Sequence, residues 1–122
     1  MNKDDNMGLK KINNSEQDRQ EEGSEYLYKR SDRTKIDDEI YAEIVKEFKK
    51  SNIDLPADKS LPQMVINEIY AKHGYEFKTK AIQEFFEEKS WYEPYTNDMD
   101  EVSAMLNKTE QDNIKYLKSI DK

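Results

Sequence analysis

The end of one helix constrains the fold of this chain more than any other feature. Residues 67–74 read Asn-Glu-Ile-Tyr-Ala-Lys-His-Gly, and they contain the only histidine and one of the three glycines. Helices often end at a glycine, because the reversal of the backbone needs a positive φ that glycine adopts without steric cost. A histidine in the last turn lies near the partly negative end of the helix, which favours its protonated form. We therefore predict that Gly74 ends a helix and that His73 has a structural role there.

The composition leaves material for one small core only. Of the 122 residues, 39% are charged and 34% are hydrophobic, which is leaner in apolar residues than an ordinary globular protein. The length suits one domain and a tail. The formal net charge of −7 comes from residues 36–122, which hold 12 basic and 19 acidic side chains. Such a domain repels phosphate, so we expect no nucleic-acid ligand, and a soluble acidic surface is a simpler explanation than mimicry of DNA.

Several kinds of site and segment are missing from the sequence. The chain has no cysteine, which excludes disulfides, cysteine nucleophiles and thiolate metal sites. No apolar run approaches the roughly 18 residues that a membrane span requires, and the N-terminus lacks the hydrophobic centre of a signal peptide. We therefore expect no membrane insertion, and a cytoplasmic location if Met1 is the true start.

The first part of the chain is polar and aperiodic. Residues 1–25 contain only isolated apolar side chains, which cannot offset the entropy lost on ordering, so we predict a disordered tail there and a helical domain at residues 26–122. Tyr26 and Tyr28 alternate as in a short strand. Nothing nearby pairs with such a strand, and we predict an extended arm that lies on the domain.

The clearest amphipathic helix follows this arm. Ile36, Ile40, Ile44 and Phe48 recur at four-residue spacing, and Thr34 is placed to cap the start of the helix. An apolar stripe of this kind either packs on its own domain or binds in the groove of a partner. We favour packing on the domain.

Capping patterns predict the other helices. Ser60 and Gln63 form a capping box at the start of the helix that ends at Gly74, and Asn107 and Glu110 form another before the last helix. Residues 80–89 read as a third helix capped by Thr79, and residues 96–106 include at most one further turn. The predicted fold is an all-α, small bundle of about four helices.

The aromatic residues after the third helix have two interpretations. We expect Trp91 in the core, against Ile66, Tyr70 and Phe86, with its indole N–H bonded to a carbonyl or carboxylate.

Tyr92 and Tyr95 are either core residues or binding residues, since tyrosine is common at binding hot spots. The loop that carries them is anchored by Trp91 and stiffened by Pro94. If the chain binds a ligand, we predict that this loop, beside the helix end at Gly74, contributes Tyr92 and Tyr95 to the site.

No pattern in the sequence indicates catalysis. Glu68 and His73 are five residues apart, which places them about 140° apart around a helix and not on one face. There is no second histidine, so we expect His73 to be structural and not a metal ligand. A phosphate-binding loop and a serine beside a histidine are also missing. We predict no catalytic residue, no metal and no cofactor.

Three motifs in order carry a resemblance to a known family. They are residues 67–77, the run Ser90-Trp91-Tyr92, and residues 106–110, which read Leu-Asn-Lys-Thr-Glu. With them the chain resembles the YARHG domain, a small bacterial module, over about residues 53–120. The positions that carry the structural motif are Tyr70, His73, Gly74 and Trp91.

The resemblance implies a non-enzymatic binding module of bacterial surface or envelope proteins, working outside the cytoplasm. Its ligand would be either a cell-wall glycan or a protein. The alternative is an intracellular acidic regulatory protein that binds a partner protein through its tail or through the amphipathic helix at residues 36–48.

Overall fold

The structure is a computed structural model that describes residues 25–121. Its fold is helical. It contains α1 (Asp38–Lys50), α2 (Leu61–Lys72), α3 (Lys80–Glu87), α4 (Met99–Ser103) and α5 (Lys108–Ile120). This confirms the predicted all-α class, with the short α4 as a fifth helix. Within residues 25–121 the only β-type pairing is an isolated bridge between Tyr75 and Thr96. The predicted disordered tail falls on residues 1–24, outside the described residues, apart from Glu25.

Helix α1 packs on its own domain, as its stripe predicts. Ile44 is buried, and Ile40 and Phe48 pack against the core. The predicted cap is wrong: the N-cap is Asp37, whose carboxylate accepts the backbone N–H of Ile40 at 2.9 Å. Thr34 lies in a turn before the helix instead, where its N–H donates to the carbonyl of Arg30. A carboxylate at the cap also suits the partly positive start of the helix.

Helix α2 is the central element, and its buried surface is wider than one stripe. Residues 64–69 are all buried, and so is Ala71. Ser60 caps the start by accepting the N–H of Gln63 at 3.2 Å. The predicted reciprocal bond is not made, because the Gln63 side chain donates to Asn67 Oδ1 at 3.1 Å.

The end of α2 is the predicted glycine stop. Gly74 has φ +88°, its N–H donates to the carbonyl of Ala71 at 2.9 Å, and the N–H of Tyr75 donates to the carbonyl of Tyr70 at 3.2 Å. These two bonds are the pair that defines a Schellman motif. The carbonyl of Gly74 accepts the N–H of Tyr95 at 2.7 Å, so the loop after Trp91 is held against the helix end.

Helix α5 forms the main helix–helix contact, which it makes with α2. The predicted capping box at its start is present in both directions between Asn107 and Glu110. Helix α3 ends at Glu87, two residues before the predicted boundary, and its N-cap Thr79 makes no side-chain bond. Phe86 from α3 and Leu117 from α5 are fully buried in the shared core. No helix within residues 25–121 has the length and apolarity needed to cross a membrane.

Candidate functional site

An irregular segment before α1 is bound along the surface of α2 and α5. We call residues 25–36 the arm. Leu27 and Ile36 lie in the core with 3% and 1% of their surface exposed, and Ser31 is fully buried between them. A turn closes where the N–H of Thr34 donates to the carbonyl of Arg30 at 2.9 Å. The predicted arm on the domain is therefore present, although it contains a turn and is not extended throughout. It includes Glu25, which the sequence had placed in the tail.

Glu68 binds the first half of the arm from α2. Its carboxylate is 1% exposed and accepts the N–H of Leu27 at 2.5 Å and the N–H of Tyr28 at 2.9 Å. Burial raises the pKa of Glu68 to about 7, although these two N–H groups and the charges of Lys72 and Lys89 act to lower it. A carboxylate that accepts two successive backbone N–H groups fixes the path of the chain at that point.

Lys72 lies one turn after Glu68 on the same face of α2. Its ammonium donates to the carbonyl of Lys29 at 2.8 Å and to Ser31 Oγ at 3.0 Å. Burial lowers the pKa of Lys72, while the nearby carboxylates, Glu68 first among them, act to raise it. Lys72 therefore supplies a cation to the middle of the arm, where carbonyl and hydroxyl oxygens point at it.

Asn113 binds the second half of the arm from α5. It is fully buried, and its Oδ1 accepts the N–H of Ile36 at 2.7 Å. Its Nδ2 donates to the carbonyls of Ser31 and Thr34, both at 2.9 Å. An amide side chain offers one acceptor and two donor hydrogens, and here all are used on backbone groups of one segment.

Asn107 has two roles at the start of α5. Its Oδ1 caps the helix by accepting the N–H of Glu110 at 2.8 Å, and its Nδ2 donates to the carbonyl of Asp32 at 2.9 Å. The capping box thus holds the amide in the orientation that binds the arm.

Trp91 binds the beginning of the arm. Its ring stacks on Tyr26 with centroids 4.8 Å apart and planes 9° apart, and its Nε1 donates to the carbonyl of Glu25 at 3.3 Å. The predicted carbonyl partner is confirmed. The predicted contact with Phe86 is present, with ring centroids 6.1 Å apart, but Trp91 is only partly buried and packs against the core, whereas Phe86 is fully buried. We use the name arm-binding face for the five residues that bind the arm, which are Glu68, Lys72, Trp91, Asn107 and Asn113.

His73, at the end of α2, contacts Glu110 in α5. Its Nε2 lies 2.8 Å from Glu110 Oε2, and the 2% exposed Glu110 also accepts the N–H of Asn107 at 2.9 Å. His73 and Glu68 thus engage different partners, in keeping with their predicted separation around the helix. Within residues 25–121, no group of three or more His, Asp or Glu side chains is placed to hold a metal ion.

The two predicted ligand-binding tyrosines have opposite environments. Tyr92 is 8% exposed, and its hydroxyl donates to the carbonyl of Tyr75 at 2.6 Å and lies 3.0 Å from Gln83 Oε1. Tyr95 is 67% exposed, and its hydroxyl lies 3.0 Å from Glu101 Oε2. Of the two interpretations, the core one applies to Tyr92, whose hydroxyl satisfies a carbonyl just beyond the end of α2, whereas Tyr95 is at the surface.

Sequence reasoning missed Glu68, Lys72, Asn107 and Asn113 as residues that bind another segment. A signal was present for two of them. Asn113 lies four residues before Leu117, and Glu68 lies four residues after Met64, so each polar side chain shares a helix face with a core residue. A buried polar side chain requires a hydrogen-bond partner, and the arm supplies it.

A comparison with protein families gives one match. The family model described as YARHG domain matches residues 56–122. No curated protein and no solved structure matches the chain. Every residue of the arm-binding face lies inside the matched range, whereas the arm and α1 precede it.

Proposed function

Because the chain belongs to the YARHG domain family, we propose that it is a non-enzymatic interaction module whose ligand is a polypeptide segment. The segment is held on the arm-binding face, and in this chain the module's own arm occupies that face. One observation carries the proposal: five side chains of the family unit, by which we mean the matched residues 56–122, donate or accept hydrogen bonds with the backbone of a segment outside that range. Backbone groups are common to all polypeptides, so the same bonds are available to a segment from a partner protein.

The contacts favour a polypeptide over a glycan as ligand. Glu68 accepts two successive N–H groups, a pattern that a peptide backbone presents and a sugar ring does not. Asn113 accepts one N–H and donates to two carbonyls, which again matches amide groups. Main-chain bonds give affinity in other modes of peptide recognition, and side-chain pockets give specificity.

Charge also supports a polypeptide of basic character. The arm carries four basic and two acidic side chains, a formal charge of +2. The matched range 56–122 carries nine lysines and 13 acidic residues, a formal charge of −4 with the histidine neutral. Complementary charge speeds association and disfavours wrong partners.

A non-enzymatic role agrees with how the polar residues are used. The carboxylate of Glu68 is occupied by the arm, and the carboxylate of Glu110 by His73 and Asn107. These are the best candidates for acid–base work in residues 25–121, and each already has a structural partner.

The test uses the full chain with a weakened arm. In the double variant Tyr26→Ala/Leu27→Ala, the arm loses its ring stack on Trp91 and the buried side chain of Leu27. If circular dichroism shows that the double variant has lost helicity, the milder single variant Tyr26→Ala is used in its place. A synthetic peptide of residues 25–36 is then titrated into the folded variant. Trp91 is the only tryptophan and stacks on Tyr26 of the arm, so its fluorescence reports occupancy of the face.

We expect a saturable change in Trp91 emission with the arm peptide and none with a scrambled peptide. Adding Asn113→Ala should weaken binding, whereas adding Tyr95→Ala should leave it unchanged. A folded variant that shows no saturable response would overturn the proposal. Binding that depends on Tyr95 and not on Asn113 would move the site to the loop beside Gly74.

A further inference from the structure

The arm is buried at three positions, and the residues between them are half-buried or exposed. Leu27, Ser31 and Ile36 are 3%, 0% and 1% exposed, whereas Arg33 and Lys35 are exposed to solvent. The buried positions are four and five residues apart. A segment that is bound only through its backbone would show no such spacing. The side chains at these three positions therefore also determine which segments can bind.

The two outer positions need aliphatic side chains. Leu27 and Ile36 both belong to the core cluster formed with α2 and α5. The N–H of each residue is fixed, in one case by Glu68 at 2.5 Å and in the other by Asn113 at 2.7 Å. Because these bonds set the position of each Cα, the side chain has one direction to follow, which is into the core. A charged side chain at either position would be buried without a partner.

The middle position needs a small side chain with a hydroxyl. Ser31 is fully buried, its Oγ accepts a hydrogen bond from Lys72 at 3.0 Å, and its carbonyl accepts one from Asn113 at 2.9 Å. The turn between Arg30 and Thr34 surrounds it. A larger side chain would have to displace packed atoms, and an apolar one would leave the Lys72 ammonium with one oxygen fewer.

From these contacts we infer a recognition pattern for the ligand, an inference that rests on the proposed function. The arm-binding face selects an irregular polypeptide segment with an aliphatic residue, a serine-sized hydroxyl residue four positions later, and a second aliphatic residue five positions after that. Between the second and third of these positions, Arg33 and Lys35 are exposed to solvent, and we expect both to tolerate substitution. The partner is therefore a protein that displays such a segment outside its own folded core.

The pattern is tested with peptides of residues 25–36 against the same folded full-chain variant. The substitutions Leu27→Asp, Ser31→Leu and Ile36→Asp remove one requirement each, and Arg33→Ala and Lys35→Ala are controls at exposed positions. We expect each of the first three to weaken binding by about tenfold or more, as for anchors in desolvated pockets. Each control should change binding by less than about twofold, as for exposed charges.

Failure of the pattern and failure of the proposed function give different results. If the unsubstituted peptide does not bind the folded variant, both are overturned. If it binds but all five substituted peptides weaken equally, the pattern is wrong and the proposed function stands.

A second measurement uses the tethered arm and does not depend on binding in trans. In the otherwise unaltered full chain, Ser31→Leu should accelerate hydrogen exchange at the amides of Leu27 and Tyr28, and Lys35→Ala should not. Equal exchange in both variants would overturn the requirement at Ser31.

Discussion

The carboxylate of Glu68 accepts the backbone N–H of Leu27 at 2.5 Å across a separation of 41 residues. The bond joins the family unit to the arm, and a buried carboxylate is an uncommon group to place there. It is tolerated because both oxygens are occupied by N–H groups, the second from Tyr28 at 2.9 Å. Removing the carboxylate takes this acceptor away from both donors, of which the N–H of Leu27 is buried and the N–H of Tyr28 is partly buried.

Glu68→Ala is therefore expected to lower the free energy of unfolding by about 2 to 4 kcal/mol, the range for stranding buried donors. Glu68→Gln keeps one acceptor oxygen and should cost less. Urea denaturation followed by circular dichroism measures both, with Glu43→Gln on the exposed side of α1 as the control. An alanine variant as stable as the control would mean that water replaces the carboxylate.

Titration of Glu68 should make stability depend on pH. Burial raises the pKa of Glu68 to about 7, against an ordinary value of 4.5, so between these values the folded chain binds a proton that the unfolded chain has released. The free energy of unfolding contributed by this group therefore decreases as pH rises from about 4.5 to 7, by about 3 kcal/mol at most. The measurement is the difference between wild type and Glu68→Gln across that range. Parallel curves for the two proteins would contradict the expectation.

Gly74→Ala should destabilise the chain at the end of α2. The residue has φ +88°, and a Cβ there would lie 2.7 Å from Cβ of Tyr95 and 3.1 Å from the carbonyl oxygen of Glu93. Strain in the left-handed region and this clash together should cost about 2 kcal/mol or more. Thermal unfolding measures the change, with Lys78→Ala at an exposed position nearby as the control. Equal melting temperatures for the two variants would show that the loop moves away freely.

Tyr92 and Tyr95 form a matched pair for testing burial. Tyr92→Phe removes a hydroxyl that donates to the carbonyl of Tyr75 at 2.6 Å, and should lower the free energy of unfolding by about 1 to 2 kcal/mol. Tyr95→Phe removes a hydroxyl at the surface and should leave the melting temperature unchanged. If the order were reversed, the assignment of Tyr92 to the core would be wrong.

The features that the sequence predicted correctly are those whose causes lie within a few residues. The stop at Gly74, the Asn107–Glu110 capping box and the Ser60 cap each depend on a bond between near neighbours in the chain. Helix periodicity similarly predicted that Ile44 faces the core. Thr34 shows the limit of this reasoning, because Asp37 stands closer to the first apolar turn and is a cap of equal quality.

The residues of the site could not be predicted in the same way, because their partners are distant in the chain. Asn113 binds Ile36 across 77 residues, and nothing in the spacing of α5 identifies that partner. Tyr92 and Tyr95 lie in a loop without periodicity, so the sequence gives no rule for which of them is buried. Only the packed chain assigns these roles.

Asn113 is fully buried and makes three hydrogen bonds to the arm. Asn113→Ala leaves the N–H of Ile36 and the carbonyls of Ser31 and Thr34 without partners. We expect a loss of about 3 kcal/mol or more in the free energy of unfolding.

Asn113→Asp separates the two kinds of bond. It keeps an acceptor for Ile36 but turns a buried carboxylate towards two carbonyl oxygens, so it should be at least as destabilising as alanine at neutral pH. Protonation restores one donor, and the aspartate variant should regain part of its stability as pH falls, which the alanine variant cannot do. Urea denaturation at pH 7 and pH 5, followed by Trp91 fluorescence and circular dichroism together, measures both variants. Equal responses of the two variants to pH would show that the side chain of residue 113 does not hold the arm through these carbonyls.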